Sequence, residues 1–397
     1  MQTVVATGHA TGSDSVRAGR SAASSALADL PSDRVDFCHL FCSPEYEYEG
    51  VIDGVRATIG PEAELLGCSA AGEFTGTDVA TESVVAALVT SDSLRFFTGL
   101  GTGLRTSVPN TVREAVADLP TTVSGYPYLS AISLHDGLSG VGEQLALVAQ
   151  QKLGPRVSVV GGAASDRYEQ DSTHVFRNDT VAEDAIGIAL VASTERLPIA
   201  VGHGHEPISE PVTVTAADGC VVSELDGRPA YEVWESAVRE RVRAEFGVEI
   251  DSVPPTGTEM LRIMGAFEFG VDQGGSYKIR WPRVEADDGT LRFAVEIPEG
   301  TVLRVMYGSP DSQIESARDT IREAMGETDA AIAGAFVYDC ACREIILEDR
   351  FPEAVTAMRE ELGAPLCGYE TYGEMCLQMG QLSGFHNTSS VVMLLPK

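Results

Sequence analysis

One order of events recurs three times along the 397-residue chain: a buried strand, an amphipathic helix halted by glycine and proline, and a short strand running into a glycine-rich end. In the first copy, residues 35–42 read as a strand and Val51, Ile52, Val55 and Ile59 as a helical stripe. Gly60-Pro61 stops that helix, and residues 64–66 lead into Gly67-Cys68-Ser69-Ala70-Ala71-Gly72-Glu73. The second copy has residues 128–134, a stripe of Val141, Leu145, Val148 and Leu153, the stop Gly154-Pro155, and the end Gly161-Gly162-Ala163-Ala164-Ser165-Asp166. The third has residues 331–339, then Phe351, Val355, Met358 and Leu362, the stop Gly363-Ala364-Pro365, and Gly368-Tyr369-Glu370-Thr371-Tyr372-Gly373-Glu374. A small-residue strand follows each copy, at 84–89, 186–191 and 391–395.

Strand, helix, strand and strand in this rhythm predict an α/β protein of layered mixed sheets with packed helices, in two parts, 1–225 and 226–397. Between the second and third copies, residues 212–215 and 219–225 read as paired strands and 231–246 as an Arg/Glu-faced helix. A run of strands follows from 256 to 306, with Asp287-Asp288-Gly289 as a hairpin turn. Gly99-x-Gly101-x-Gly103 lacks the helix and acidic partner of a dinucleotide fingerprint and reads as loop.

Charge narrows the partners. The chain carries 28 basic and 59 acidic side chains, a formal net charge of −31, and three of the basic residues are lysines (Lys152, Lys278 and Lys397). Such a field repels phosphate backbones and anionic lipid heads, which excludes nucleic acid and membrane insertion as expected partners. A Lys-poor, carboxylate-coated chain suits a high-salt cytoplasm, so a halophilic source is the expectation. No apolar run reaches the length of a membrane span, and the start lacks a signal peptide. Eight cysteines in such a chain then read as reduced thiols of a cytoplasmic protein.

The repeat ends carry the candidate chemistry, because open α/β sheets place ligands at strand C-termini. Gly67-x4-Gly72-Glu73 has the glycine spacing of a phosphate loop but a carboxylate where lysine is required, which disfavours nucleotide triphosphates. Glycine turns present N–H groups that can hold a carboxylate, and a neighbouring Glu can hold an ammonium; together they suit a zwitterion. Equally, those glycines only permit tight turns and Glu73 is a solvated carboxylate. In Cys340-Ala341-Cys342-Arg343, Arg343 either clamps a ligand carboxylate or activates Cys340 as a nucleophile. Read as strand, this segment puts Cys340 and Cys342 on one face as small buried hydrophobes. The candidate ligand-binding residues are Gly67, Cys68, Ser69, Gly72, Glu73, Gly161, Gly162, Asp166, Cys340, Arg343, Gly368, Gly373 and Glu374. Neither the cysteines nor His203-Gly204-His205-Glu206 have structural-zinc spacing, so no metal and no cofactor are expected.

These motifs, taken in order, resemble the FIST sensory family. Residues 66–73 resemble its G-C-S-[ST]-A-G-E turn and 160–166 its G-G-x-A-x-D segment. Residues 212–215 and 224–230 resemble the junction of its two parts. Cys340-Ala341-Cys342-Arg343 resembles a C-A-G-R motif, with Cys342 in place of the glycine. Gly368-Tyr369 with Tyr372-Gly373-Glu374 resembles G-[FY]-x-x-x-G-E, and Asn387-Thr388 resembles the family's ending. The resemblance implies signal input through a small ligand, with amino acids the proposed class, and output through a separate signalling partner. Arg343 and N–H groups near Gly67 and Gly368 would then take the carboxylate, Glu73 or Glu374 the ammonium, and Cys340 would line the pocket. Two other readings stay open: a cysteine enzyme using Cys340 with His135 or His386 as base, and a protein-interaction scaffold.

Overall fold

The computed structural model describes residues 2–397 except 256, 275, 286–288 and 382. The turn assigned to Asp287-Asp288-Gly289 lies largely outside the described residues. The protein is α/β with mixed sheets, and the repeat is longer than its sequence signature, since each copy opens on an extra strand and helix. The first copy runs β1 (Val4–Thr11), α1 (Ser15–Ala28), β2 (Phe37–Cys42), α2 (Tyr48–Ile59), β3 (Glu64–Ser69), the hairpin β4 (Glu73–Thr75) and β5 (Val79–Ala80), and β6 (Ser83–Thr90). The second runs β7 (Leu94–Thr102), α3 (Val108–Ala115), β8 (Tyr128–His135), α4 (Gly142–Leu153), β9 (Ser158–Ala163), β10 (Val175–Arg177) and β11 (Thr180–Ala182), and β12 (Ala185–Ser193).

The third copy begins with β13 (Ile199–Gly202) and is then interrupted. The interruption spans β14 (His205–Pro207) to β22 (Val302–Gly308), with α5 (Ala230–Phe246) and α6 (Thr258–Ala266), and builds a separate sheet over its own core around Trp234, Phe267 and Phe269. That sheet takes strands from both sides of residue 226. The copy resumes with α7 (Pro310–Gly326), β23 (Ile332–Cys340), α8 (Ala341–Leu347), α9 (Phe351–Leu362), β24 (Leu366–Thr371), the hairpin β25 (Glu374–Leu377) and β26 (Phe385–His386), and β27 (Ser390–Pro396).

The three copies form sheets of one topology: β1-β6-β2-β3, β7-β12-β8-β9 and β13-β27-β23-β24. In each, β2–β3, β8–β9 and β23–β24 pair in parallel across the helical segment that joins them, and the other neighbours pair antiparallel. The hairpins are exchanged in a closed cycle. That of the first copy extends the third sheet through β4–β24, that of the second extends the first through β10–β3, and that of the third extends the second through β25–β9. The strands β3, β9 and β24, each of which would otherwise be a bare edge, are thus paired on one side by their own copy and on the other by a hairpin of a different copy.

Apolar alternation explains the layering. One face of all three sheets meets in a common core that includes Phe37, Phe41, Ile132, Leu134, Phe336, Tyr338 and Tyr369. The other faces are covered by helix pairs, α1 and α2, α3 and α4, α7 and α9. The predicted stripes of α2 and α9 are buried, and their stop residues Gly60 and Gly363 have positive φ, as does Gly154 after α4. Two local expectations are corrected. Gly99 and Gly101 lie in strand β7, where a Cβ would collide with the Ala115 and Thr111 carbonyls of α3. Residues 341–347 are helix, not strand, so Cys340 is buried at the helix cap while Cys342 is half-buried on the helix.

Candidate functional site

The cyclic exchange forces the three repeat ends to one place, because each chain must cross there to reach its neighbour's sheet. Ser165 N–H donates to the Ser69 carbonyl at 3.1 Å, and Ala71 N–H to Ser165 Oγ at 2.8 Å. Ser165 Oγ in turn donates to the Glu370 carbonyl at 2.5 Å, Glu370 N–H to the Gly72 carbonyl at 2.9 Å, and Ala163 N–H to the Gly373 carbonyl at 2.8 Å. The structure therefore brings together Ser69, Gly72, Gly162, Asp166, Glu370 and Gly373.

Several residues expected to face a ligand are instead parts of this junction. Gly67, Gly161 and Gly368 occupy matching positions inside β3, β9 and β24, opposite Leu40, Ser133 and Val337. A Cβ at Gly67 or Gly161 would run into the facing carbonyl, and one at Gly368 into Phe74 and the Val337 carbonyl. Their strands are paired on both edges, so they form no open N–H nest. Cys68 is buried in the common core, its thiol pushed up by burial.

Glu73 and Glu374 occupy equivalent positions and are held alike. Glu73 accepts from Ser43 Oγ at 2.9 Å and Ser83 Oγ at 2.6 Å. Glu374 accepts from Thr371 Oγ1 at 2.5 Å, Ser389 Oγ at 2.8 Å and Ser389 N–H at 3.1 Å. Burial outweighs these donors and pushes both carboxyls up to about 8. Each is a neutral, hydrogen-bonded acid at pH 7, which makes it a poor receptor for an ammonium.

Arg343 is likewise committed. It is wholly buried, and its Nε donates to Asp339 Oδ1 at 2.7 Å. Nη1 donates to Gln313 Oε1 at 2.5 Å and Ser316 Oγ at 3.2 Å, and Nη2 to the Gln313 carbonyl at 3.0 Å. A guanidinium with these partners does not reach a ligand carboxylate, and it does not activate Cys340. Burial pushes the Cys340 thiol well above its usual range, lowers His135 to about 4, and lowers His386 well below the usual imidazole value. A thiolate nucleophile has no support here.

The residues with unmet capacity are ones the sequence reading passed over. Glu370, 2% exposed, has an Oε2 with no donor among the described residues. Burial pushes it well above the carboxylate range, followed by the charge of Glu344, a hydrogen bond between the two acids, and the charges of Glu73 and Asp339. Gly72 faces its carboxylate so closely that a Cβ there would overlap it. Glu268, from the interrupting sheet, accepts from Thr388 Oγ1 at 2.6 Å and also leaves Oε2 without a donor among the described residues. Close to Glu370 and Glu344 lies Tyr168, 41% exposed, whose hydroxyl donates to the Ala341 carbonyl at 2.5 Å and whose ring is 6.0 Å from that of Tyr372. The loop bearing it is strained, with positive φ at Arg167, Tyr168 and Gln170. Asp166 holds it, accepting from the N–H groups of Gln170, Asp171 and Ser172 and from Tyr372 OH at 2.6 Å. Glu370 lies between the two glycines of its motif; an acid inside a glycine-marked strand end was the available signal. Among the described residues no three metal-ligating side chains gather.

Comparison with known proteins agrees with the order of these motifs. The FIST N domain model matches residues 36–228 and the FIST C domain model residues 230–377. An uncharacterized protein of Methanocaldococcus jannaschii is 25% identical over 319 residues, covering 76% of this chain and 59% of that protein. One from Mycobacterium bovis is 24% identical over 236 residues, 56% of each chain. The chain thus spans less than two thirds of the length of these two relatives. One from Mycobacterium tuberculosis is 28% identical over 322 residues, 74% of this chain and 80% of that one. Among solved structures, a cyanuric acid hydrolase aligns along the whole of both chains at 10% identity with a TM-score of 0.33, too loose an overlap to carry an argument.

Proposed function

The chain belongs to the FIST family of sensory signal-transduction domains, and we propose that it is an input protein that binds the ammonium group of a small, amino-acid-like metabolite at Glu370. The observation that carries this reading is the donor-free Oε2 of a buried Glu370 beside Glu344. Two acids crowded in low dielectric repel one another when ionised, and a ligand ammonium relieves that repulsion while supplying the missing donors. Tyr168, close to Glu370 and Glu344, adds aromatic surface with Tyr372, which favours a cation. This moves the ammonium receptor from Glu73 and Glu374 to the residue between them in the junction.

Output passes to a separate signalling protein in the cytoplasm. Ligand binding at Glu370 would tighten contacts among all three repeat ends and the Tyr168 loop, and such a change in loop order is what a partner could read. No helix of the described residues is long and apolar enough to cross a membrane.

Calorimetric titration with amino acids and simple amines in molar potassium chloride tests the reading. An amine-bearing ligand should bind, Glu370→Gln should weaken it at least tenfold, and Glu73→Gln should leave it intact. Because the raised Glu370 carboxyl must ionise, binding should release a proton and tighten as pH rises. No amine-bearing ligand, or equal binding by Glu370→Gln, overturns it.

A further inference from the structure

A cavity lies between the interrupting sheet and the β25–β26 hairpin, and its chemistry has the opposite sign to that of Glu370. Strand β19 (Tyr277–Arg280) places Lys278 and Arg280 on one face, 3% and 6% exposed. Arg280 is occupied: Nη1 donates to the Ile279 and Phe385 carbonyls at 3.1 Å each, and Nη2 to Glu143 Oε2 at 3.2 Å. Lys278 is not. Among the described residues its ammonium has one hydrogen-bond acceptor, the Ser383 hydroxyl, and the carboxylate it senses is the same Glu143 that Arg280 holds. The other titratable neighbours are Cys376 and His386, neither of which supplies a negative charge: burial raises the Cys376 thiol to about 12 and lowers His386. Two buried cations therefore share one carboxylate in a chain whose net charge is −31.

Lys278 lines a cavity of about 320 Å³ with Gln273, Gln381, Ser383 and His386. That space is roughly ten water volumes at about 30 Å³ each, far more than a monatomic ion fills. Among the described residues its other walls are neutral donors and acceptors, namely two primary amides, a hydroxyl and an imidazole. Burial lowers the Lys278 ammonium to about 8, still mostly charged at pH 7, and a negative charge beside it would hold it in the charged form. One unmatched positive charge among neutral polar groups fits a single carboxylate on a small hydroxylated or carbonyl-bearing body. A phosphate dianion calls for further charged donors that this wall lacks.

We infer that this cavity is a second ligand site, taking a small polar organic carboxylate whose charged end pairs with Lys278. The site shares no residue with the Glu370 group, so the two readings fail separately.

Malate is the probe, titrated at fixed ionic strength against chloride and inorganic phosphate. Malate should bind wild type, bind at least tenfold more weakly to Lys278→Met, and bind Glu370→Gln unchanged. A measurement on the unaltered protein guards against a misfolded variant. With three lysines in the chain, cyanate carbamoylation can be mapped by peptide mass, and malate should slow labelling of Lys278 several-fold while leaving Lys152 unaffected. The inference is overturned if Lys278→Met binds malate like wild type, if Lys278 labelling is unchanged by malate, or if chloride or phosphate protects Lys278 as well as malate does.

Discussion

At the scale of single residues, the recurring Gly-Glu ends illustrate how burial reverses a sequence expectation. A glutamate after a glycine turn reads as an exposed charge, yet Glu73 and Glu374 are sealed in by serines and threonine and titrate near 8. The unfolded chain ionises them near 4.5, so between pH 4.5 and 8 the folded state holds extra protons. Their contribution to stability is full below about 4.5, is lost as pH rises through about 8, and is level above. Glu73→Gln should therefore flatten the stability profile between those limits, by on the order of a few kcal/mol across the window, in denaturant titrations at stepped pH. A variant profile parallel to wild type would show that Glu73 is ionised when folded. Arg343 makes the complementary case. Arg343→Ala should cost about 3–5 kcal/mol in unfolding free energy, because it strands Asp339 without its counter-charge; a loss below about 1 kcal/mol would contradict the buried pair.

At the scale of elements, glycine does two different jobs that sequence alone does not separate. Gly60 and Gly363 end helices with positive φ and open space around them, so alanine there should cost about 1 kcal/mol. Gly67 sits inside β3, where a Cβ would meet the Leu40 carbonyl. Backbone cannot give way as a side chain can, so Gly67→Ala should cost about 3 kcal/mol or more. Thermal melts of the two variants side by side check this; equal losses would mean that β2 and β3 separate freely. The helix stops were legible because a cap is local, set by the residues at the helix end itself. The strand glycines were misread as turn residues because the carbonyl that excludes their Cβ belongs to a strand 27 residues away in the chain, as with Leu40 and Gly67.

At the scale of the whole molecule, the exchanged hairpins make the three copies interdependent. A fragment of residues 1–225 would lack β23, β24, β25 and β27, leaving the β4–β5 hairpin and the β9 edge without partners. It should be insoluble or lack fixed tertiary structure, read by near-ultraviolet circular dichroism and hydrogen exchange, and a cooperatively folded fragment would contradict the cyclic arrangement. The charge also belongs to this scale: 31 net negative charges over 15,472 Å² of surface disperse repulsion broadly, while the cavity lined by the buried Lys278 sits against that field.

What could be read in the chain was whatever short-range chemistry decides. Apolar period set the strands and the α2 and α9 stripes, glycine and proline set the helix ends, and the ordered motifs identified the family. The count of copies was visible too, although β7 and β13 were not, since an opening strand carries no glycine signature. Partnership was decided only in three dimensions. Backbone pairing is indifferent to side-chain identity, so nothing in β4, β10 or β25 announces that it will cross to another copy's sheet. Whether Arg343 or Lys278 is free depends on which acceptors the packing leaves beside it. Arg343 was matched by Asp339 and Gln313, and Lys278 was left with a hydroxyl and a cavity. The residues around each cation come from elements far apart in sequence, and that is why only the assembled fold distinguishes a structural ion pair from a place for a ligand.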